Sequence, residues 1–97
     1  MEVRIQAIHF DANQRLVDFI NKKVDRVLRR VPDATDVEVT LKVVKPETAM
    51  NKEAMVKFTI PQTAELVADK VADTFEEAVD QCLEAIERQV EKKKAVK

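Results

Sequence analysis

The stretch that decides the fold is TDVEVTLKVVK, residues 35–45, in which apolar and polar side chains alternate. One side of the alternation carries Val37, Val39, Leu41 and Val43, and the other side carries Glu38, Thr40 and Lys42. A period of two residues is typical of a β-strand, because successive side chains point to opposite faces of a sheet. The stretch therefore predicts a strand with one buried face and one solvated face.

Three further segments show the same alternation and extend the predicted sheet. After a polar connection, residues 53–60 alternate in the same way, and a turn at Pro61 leads into a short fourth strand, residues 64–70. Residues 2–9, near the start of the chain, alternate as well. The sequence thus predicts four strands, three of which follow one another without an intervening helix.

Residues 13–30 carry apolar side chains at helical spacing. The apolar stripe of this first helix consists of Leu16, Val17, Ile20, Val24, Val27 and Leu28. Asp11 or Asn13 can accept a hydrogen bond from the first turn as an N-cap, and Pro32 disfavours helical backbone in the residue before it. We therefore predict a helix with one buried face between the first two strands.

A second helix is predicted from about Thr74 onward. Thr74 is a suitable N-cap, and Glu77 follows it at the distance of a capping box. Its apolar stripe consists of Phe75, Val79, Cys82, Leu83, Ile86 and Val90. We expect the tail of the chain to fray from about residue 92, because nothing apolar anchors it.

These elements follow one another as β-α-β-β-β-α, which predicts an α+β fold in a single domain of residues 1–97. Each helix has one apolar stripe and the sheet has one apolar face, so both helices are expected to pack on that face. The first two strands are joined through a helix and are expected to be parallel, which makes the four-stranded sheet mixed.

The first helix concentrates positive charge on the side opposite its apolar stripe. At roughly 100° per residue, one sector contains Arg15, Lys22, Lys23, Arg26, Arg29 and Arg30. Like charges at i, i+3 and i, i+4 spacing repel one another, so such a sector does not stabilise a helix. Two explanations remain open, an ordinary solvated helix face and a surface that binds phosphate groups.

The second helix carries acids on its outward face and cations toward its C-terminus. The acids are Glu76, Glu77, Asp80, Glu84, Glu87 and Glu91, and the cations are Arg88, Lys92, Lys93 and Lys94. The cations also suit the negative end of the helix dipole, which is a purely structural explanation for them. If the two helices lie side by side, their cations are expected to form one continuous patch of about eight side chains that binds RNA phosphates.

The composition excludes several classes of function. The sequence contains no glycine and no serine, which excludes a P-loop, a dinucleotide-binding turn and a serine nucleophile. His9 and Cys82 are too few for a zinc site, so we expect no metal, no cofactor and no catalytic residue. We also expect no small-molecule substrate. A single cysteine suggests a reducing compartment, and no apolar run is long enough to span a membrane.

Three motifs distributed along the chain follow a known pattern. They are Leu16-x-x-Phe19-Ile20, Lys23-Val24-x-Arg26, and the C-terminal run Ala78-Val79-Asp80, Leu83, Ile86-Glu87-Arg88-Gln89-Val90 and Lys92 to Lys94. In these motifs and in the order of its elements, the chain resembles the short ribosome hibernation factors, the sigma-54 modulation protein family. It departs from the family pattern at Glu76, where a tyrosine is common, and at Ala85, where a lysine is common.

The resemblance implies a fold similar to double-stranded-RNA-binding domains and a function in silencing ribosomes during stationary phase or stress. It implies binding to the rRNA of the small ribosomal subunit, in the channel used by messenger and transfer RNA, and inhibition of translation without catalysis. Lys23, Arg26, Arg88, Lys92 and Lys94 stand at positions that the family fills with rRNA-facing cations, and Arg29 and Arg30 extend them. A cytoplasmic monomer without the C-terminal dimerisation domain of long family members is expected.

Two other classes of function remain open on the sequence alone. The first is a protein-binding regulatory module, for example a sigma-factor modulator, that uses the exposed sheet face or the acidic helix face. The second is a small enzyme or metal protein, which requires a pocket with perturbed titrating groups or a bound metal. Binding to RNA that weakens steeply with salt distinguishes the ribosomal interpretation from both.

Overall fold

The computed structural model describes residues 2–8, 10–44, 50–61 and 64–95, and among these the side chains of residues 2, 64 and 93–95 are left out of the description. The elements are β1 (Glu2–Ile8), α1 (Gln14–Leu28), β2 (Asp36–Val43), β3 (Lys52–Ile60), β4 (Ala64–Ala72) and α2 (Phe75–Ala95). This confirms the predicted α+β fold and its β-α-β-β-β-α order.

The four strands form one mixed sheet in the order β1-β2-β3-β4. β1 pairs with β2 in parallel, whereas the β2–β3 and β3–β4 pairs are antiparallel. β4 extends to Ala72, two residues beyond the prediction, because β3 already begins at Lys52 and supplies pairing partners for Val71 and Ala72. The apolar side chains of β2 pair with apolar side chains of both neighbouring strands, as in the pairs Val3–Val37 and Val39–Val56.

The core lies between one face of this sheet and the two helices. The central strands contribute Val37, Val39, Leu41, Ala54, Val56 and Phe58, which are all fully buried. The helices contribute Ile20 and Val24 of α1 and Val79 and Ile86 of α2, which belong to the same cluster. Burial of each such side chain contributes about 1.5–3 kcal/mol, so the packing holds both helices firmly on one face of the sheet.

Side-chain caps begin both helices. The Asn13 Oδ1 atom accepts a hydrogen bond from the Leu16 backbone N–H at 2.8 Å, which identifies Asn13 and not Asp11 as the N-cap of α1. The Thr74 Oγ1 atom accepts a hydrogen bond from the Glu77 backbone N–H at 3.1 Å. Both caps satisfy a backbone donor that the helix itself leaves without a partner.

The helix ends differ slightly from the predicted ones. α1 ends at Leu28, because the Arg30 N–H bonds to the Val27 carbonyl at 2.9 Å and tightens the chain into a turn before Pro32. α2 is helical to Ala95, and fraying of the tail from about residue 92 stays a prediction. In the part of the chain that the structure describes, no helix is sufficiently long and apolar to cross a membrane.

Replacing the cap of α1 is expected to destabilise the protein. Asn13→Ala removes the side-chain acceptor for Leu16 N–H and should lower the free energy of unfolding by about 1 kcal/mol, measured by urea denaturation. Asn21→Ala is the matched control, because Asn21 is exposed in the middle of the same helix, where alanine is tolerated. An equal loss in both variants would contradict the cap.

Cys82 lies in the core, where its Sγ atom donates a hydrogen bond to the Ala54 carbonyl at 3.1 Å. Burial raises the pKa of the thiol to about 11, from an ordinary value of 9.0. The unfolded chain therefore loses this proton near pH 9, whereas the folded chain keeps it to about pH 11. Because the folded state then binds more protons than the unfolded state, stability should fall as the pH rises through this window.

The comparison of wild type with Cys82→Ala measures this effect. Between pH 9 and 11, the free energy of unfolding of the wild type should fall further than that of the variant, by an amount on the order of 2 kcal/mol. Lysine titration affects both proteins alike and cancels in the difference. Parallel pH profiles would show that the thiol has an ordinary pKa in the folded protein.

Candidate nucleic-acid interface

Four of the predicted cations form a line along the outer surface of α1. These four, here called the basic stripe, are Arg15, Lys22, Arg26 and Arg29. They fall within a sector of about 60° and extend over about 21 Å, given 100° and 1.5 Å per helical residue. All four side chains are exposed, and among the residues that the structure describes none of them has a carboxylate partner in an ion pair.

The other two cations of α1 face α2 and are paired with its acids. Lys23 Nζ lies 3.5 Å from Asp80 Oδ1, and Arg30 Nη1 lies 3.2 Å from Glu87 Oε2. Arg30 Nη1 also lies 3.5 Å from Glu91 Oε1. Lys23 and Arg30 are seven residues apart in the chain, and so are their partners Asp80 and Glu87 on α2. The two helices therefore run parallel and side by side.

These ion pairs correct two expectations drawn from the sequence. The acids of α2 were expected to face solvent only, whereas Asp80, Glu87 and Glu91 reach across to α1. The cations of the two helices were expected to form one continuous patch, whereas carboxylates line the groove between the helices. Lys23, Arg26, Val27, Asp80, Leu83, Glu84 and Glu87 line that groove.

The acids that separate the helices form a second line, here called the acidic row. Its members are Asp80, Glu84, Glu87 and Glu91. Arg88 lies beyond this row and interacts with it, because Arg88 Nη2 is 3.9 Å from Glu84 Oε2 on the same helix. Arg88 is therefore separated from the basic stripe by the acidic row, although both lie on the helical layer.

The C-terminal part of α2 lies beside the C-terminal end of α1, where Arg29 and Arg30 are located. Glu91 contacts Arg30, so Lys92, one residue further along α2, lies at the same end of the helical layer as Arg29 and Arg30. Lys92 is exposed. The side chains of Lys93 and Lys94 lie outside what the structure describes, so their predicted role remains a prediction.

Phe19, which the sequence analysis includes only as part of a motif, contacts the cation Lys23. Lys23 Nζ lies 5.6 Å from the centre of the Phe19 ring, within the range of a cation–π interaction. The i, i+4 spacing of Phe19 and Lys23 is the sequence signal for this contact. Lys23 is thus fixed between an aromatic ring and Asp80, while the basic stripe stays free to meet a partner.

The open face of the sheet has a different character, with charges that compensate one another. Lys57 Nζ lies 3.3 Å from Glu65 Oε2 and 3.9 Å from Glu38 Oε2. Met55 and Val67 are 40% and 44% exposed on this face. The partial burial of Glu53 and the nearby Asp69 carboxylate raise the pKa of Glu53. Within the described part of the sheet, this face therefore has no concentration of cations comparable with the basic stripe.

Among the residues that the structure describes, the candidates for catalysis or metal binding are not grouped into a site. His9 lies outside the described residues, and Cys82 is buried in the core. Within the described ranges, no three His, Cys, Asp or Glu side chains are grouped as metal ligands. The surface feature that calls for a functional explanation is the basic stripe next to the acidic row.

Comparison with known structures supports the assignment of the fold. A ribosomal subunit interface protein from Coxiella burnetii is similar with a TM-score of 0.85 and 19% identity, over 98% of this chain and 99% of that one. The N-terminal domain of Protein Y from Thermus thermophilus is similar with a TM-score of 0.77 and 17% identity, over 95% of this chain and 98% of that one. No curated protein matches the chain.

The family model described as Sigma 54 modulation protein / S30EA ribosomal protein matches residues 3–96. The match includes all six elements of the fold except the first residue of β1, and both helices that carry the basic stripe and the acidic row. Because it extends over nearly the whole chain, the protein belongs to the Sigma 54 modulation protein / S30EA ribosomal protein family.

Proposed function

We propose that this protein associates with the ribosome as a hibernation factor, and that it binds the small subunit through the basic stripe of α1. Membership of the S30EA family carries this proposal. One structural neighbour is itself described as a ribosomal subunit interface protein, which supports the same interpretation. The basic stripe is the surface on this chain that best fits a phosphate-bearing partner.

The mechanism is occupancy of the channel that messenger and transfer RNA use. Arg15, Lys22, Arg26 and Arg29 neutralise rRNA phosphates and release the counterions that those phosphates hold. The packed core holds α1 in place on the sheet, so the cations meet the RNA without a cost for ordering the backbone. The domain then fills space that translation requires.

This mechanism requires no catalytic residue and no cofactor, because no covalent bond is made or broken. The protein acts as a monomer in the cytoplasm, where ribosomes translate. Lys92 and the remaining lysines of α2 add to the attraction at one end of the helical layer, whereas Arg30 contributes less because Glu87 and Glu91 pair with it. Arg88 contributes less, since Glu84 partly neutralises it.

The family description also includes sigma-54 modulation, which makes a protein partner the second candidate. The open face of the sheet supports this candidate, because it exposes Met55 and Val67 among compensated charges. Apolar side chains surrounded by polar ones are typical of protein-binding surfaces. Binding through this face should depend little on salt and should not require RNA.

Charge reversal on the basic stripe tests the ribosomal proposal. Lys22→Glu with Arg29→Glu should lower the affinity for isolated small subunits by about 100-fold or more, because two phosphate contacts become repulsive. The slope of log affinity against log salt should decrease by about two. Co-sedimentation with small subunits over a series of salt concentrations gives both quantities, and circular dichroism shows that the variant is folded.

Lys42→Glu with Lys70→Glu is the matched control, because it makes the same change in net charge at two exposed lysines of the sheet. This control should retain affinity for the small subunit within about threefold. An equal loss in both variants would indicate that only net charge matters. Unchanged binding of the stripe variant would exclude the basic stripe as the contact surface and favour the open sheet face.

A further inference from the structure

The acidic row runs beside the basic stripe, and Arg26 of the stripe lines the same groove as Glu84 and Glu87 of the row. Arg30, between them, is held by two carboxylates at once, at 3.2 Å from Glu87 and 3.5 Å from Glu91. Lys23, seven residues before Arg30, is held by the single carboxylate of Asp80. The acids therefore withdraw two of the six cations of α1 from any phosphate partner.

Stability alone does not account for this arrangement. The paired side chains are partly exposed, with 49% exposure for Asp80 and 70% for Glu91, and ion pairs between such groups add little to stability. The two helices are already held together by buried apolar side chains such as Val27 and Leu83. The position of the acids has one other consequence: they change the electrostatic attraction of the two helices for a molecule that approaches from solvent.

The distance between the basic stripe and the acidic row determines which kinds of RNA bring phosphates close to both. Packed helices lie about 8–10 Å apart, which is close to the screening length in physiological salt. A regular RNA duplex is wider than this spacing, so phosphates of a duplex lying on α1 also approach α2. An RNA surface that offers phosphates along a single line can meet the basic stripe alone.

We propose that the acidic row is a specificity element that excludes duplex RNA and limits RNA contact to the α1 side of the helical layer. This inference rests on the proposed function, because it concerns the same RNA-binding surface. The row acts by repelling phosphates over α2 and by withdrawing Arg30 from them. The protein thereby binds duplex RNA weakly and favours an RNA surface whose phosphates lie along the basic stripe.

The test removes the two carboxylates that hold Arg30 without changing their shape. Glu87→Gln with Glu91→Gln releases Arg30 from its acids and raises the net charge by two. Glu38→Gln with Glu65→Gln is the matched control, because it releases Lys57 from its two carboxylates on the opposite face of the sheet. The net charge of the two variants is equal, and only the face differs.

The probe is a fluorescently labelled RNA duplex without ribosomal sequence, and its binding is followed by fluorescence anisotropy over a series of salt concentrations. The Glu87/Glu91 variant should bind the duplex about tenfold more tightly than wild type, with a salt slope larger by about one. The Glu38/Glu65 control should stay within about threefold of wild type. An equal gain in both variants, or no gain in either, would overturn the proposal.

The same preparations separate this inference from the proposed function. Binding of the wild-type protein to isolated small subunits at low salt tests the proposed function by itself. Its absence would overturn that function, whereas the duplex measurement still decides whether the acidic row excludes RNA. Conversely, wild-type binding to small subunits without a gain for duplex RNA in the Glu87/Glu91 variant would overturn only the role of the acidic row.

Discussion

The burial of both helices on the same face of one sheet is the constraint on which the surface of this protein depends. Val39 and Val56 on neighbouring strands have no exposed area, and neither do Val24 of α1 and Val79 of α2. Both helices bury their apolar side chains against the same face of the sheet. α1 and α2 therefore lie next to each other. Helices on opposite faces could not bring Lys23 within 3.5 Å of Asp80.

The ion pairs between the helices depend on this packing and contribute little to it. Pairs between partly exposed side chains contribute about 0–1 kcal/mol each, which is less than the burial of one large apolar side chain. The outer surface can therefore change in evolution while the core keeps the fold. A TM-score of 0.85 at 19% identity with a solved structure shows that this fold tolerates extensive change in sequence.

The fold could be predicted from the sequence because its signals are local. The alternation in residues 35–45, the cap at Thr74 and the apolar spacing of both helices each involve residues close together in the chain. Asn13 could not be distinguished from Asp11 as the cap of α1, since both residue types accept the same hydrogen bond and only the backbone geometry selects between them.

The relation between the two helical surfaces could not be predicted in the same way. A helical wheel gives the direction of Lys23 and Arg30 on α1, but it does not give the position of α2 along α1. That position follows from the packing of the whole core, which places Asp80 and Glu87 opposite these two cations. The continuous basic patch was expected because a side-by-side arrangement alone does not reveal that the acids of α2 lie against the cations of α1.

The net charge of −1 conceals how the charge is arranged, and the arrangement is what a charged partner meets. α1 carries exposed cations along one line, whereas α2 carries the acidic row beside them. In this chain, attraction to phosphates therefore lies mainly with α1. A nearly neutral protein with separated charge is attracted to a polyanion in one orientation and repelled in others, so in the proposed function the acids of α2 orient the domain as well as reduce its total attraction.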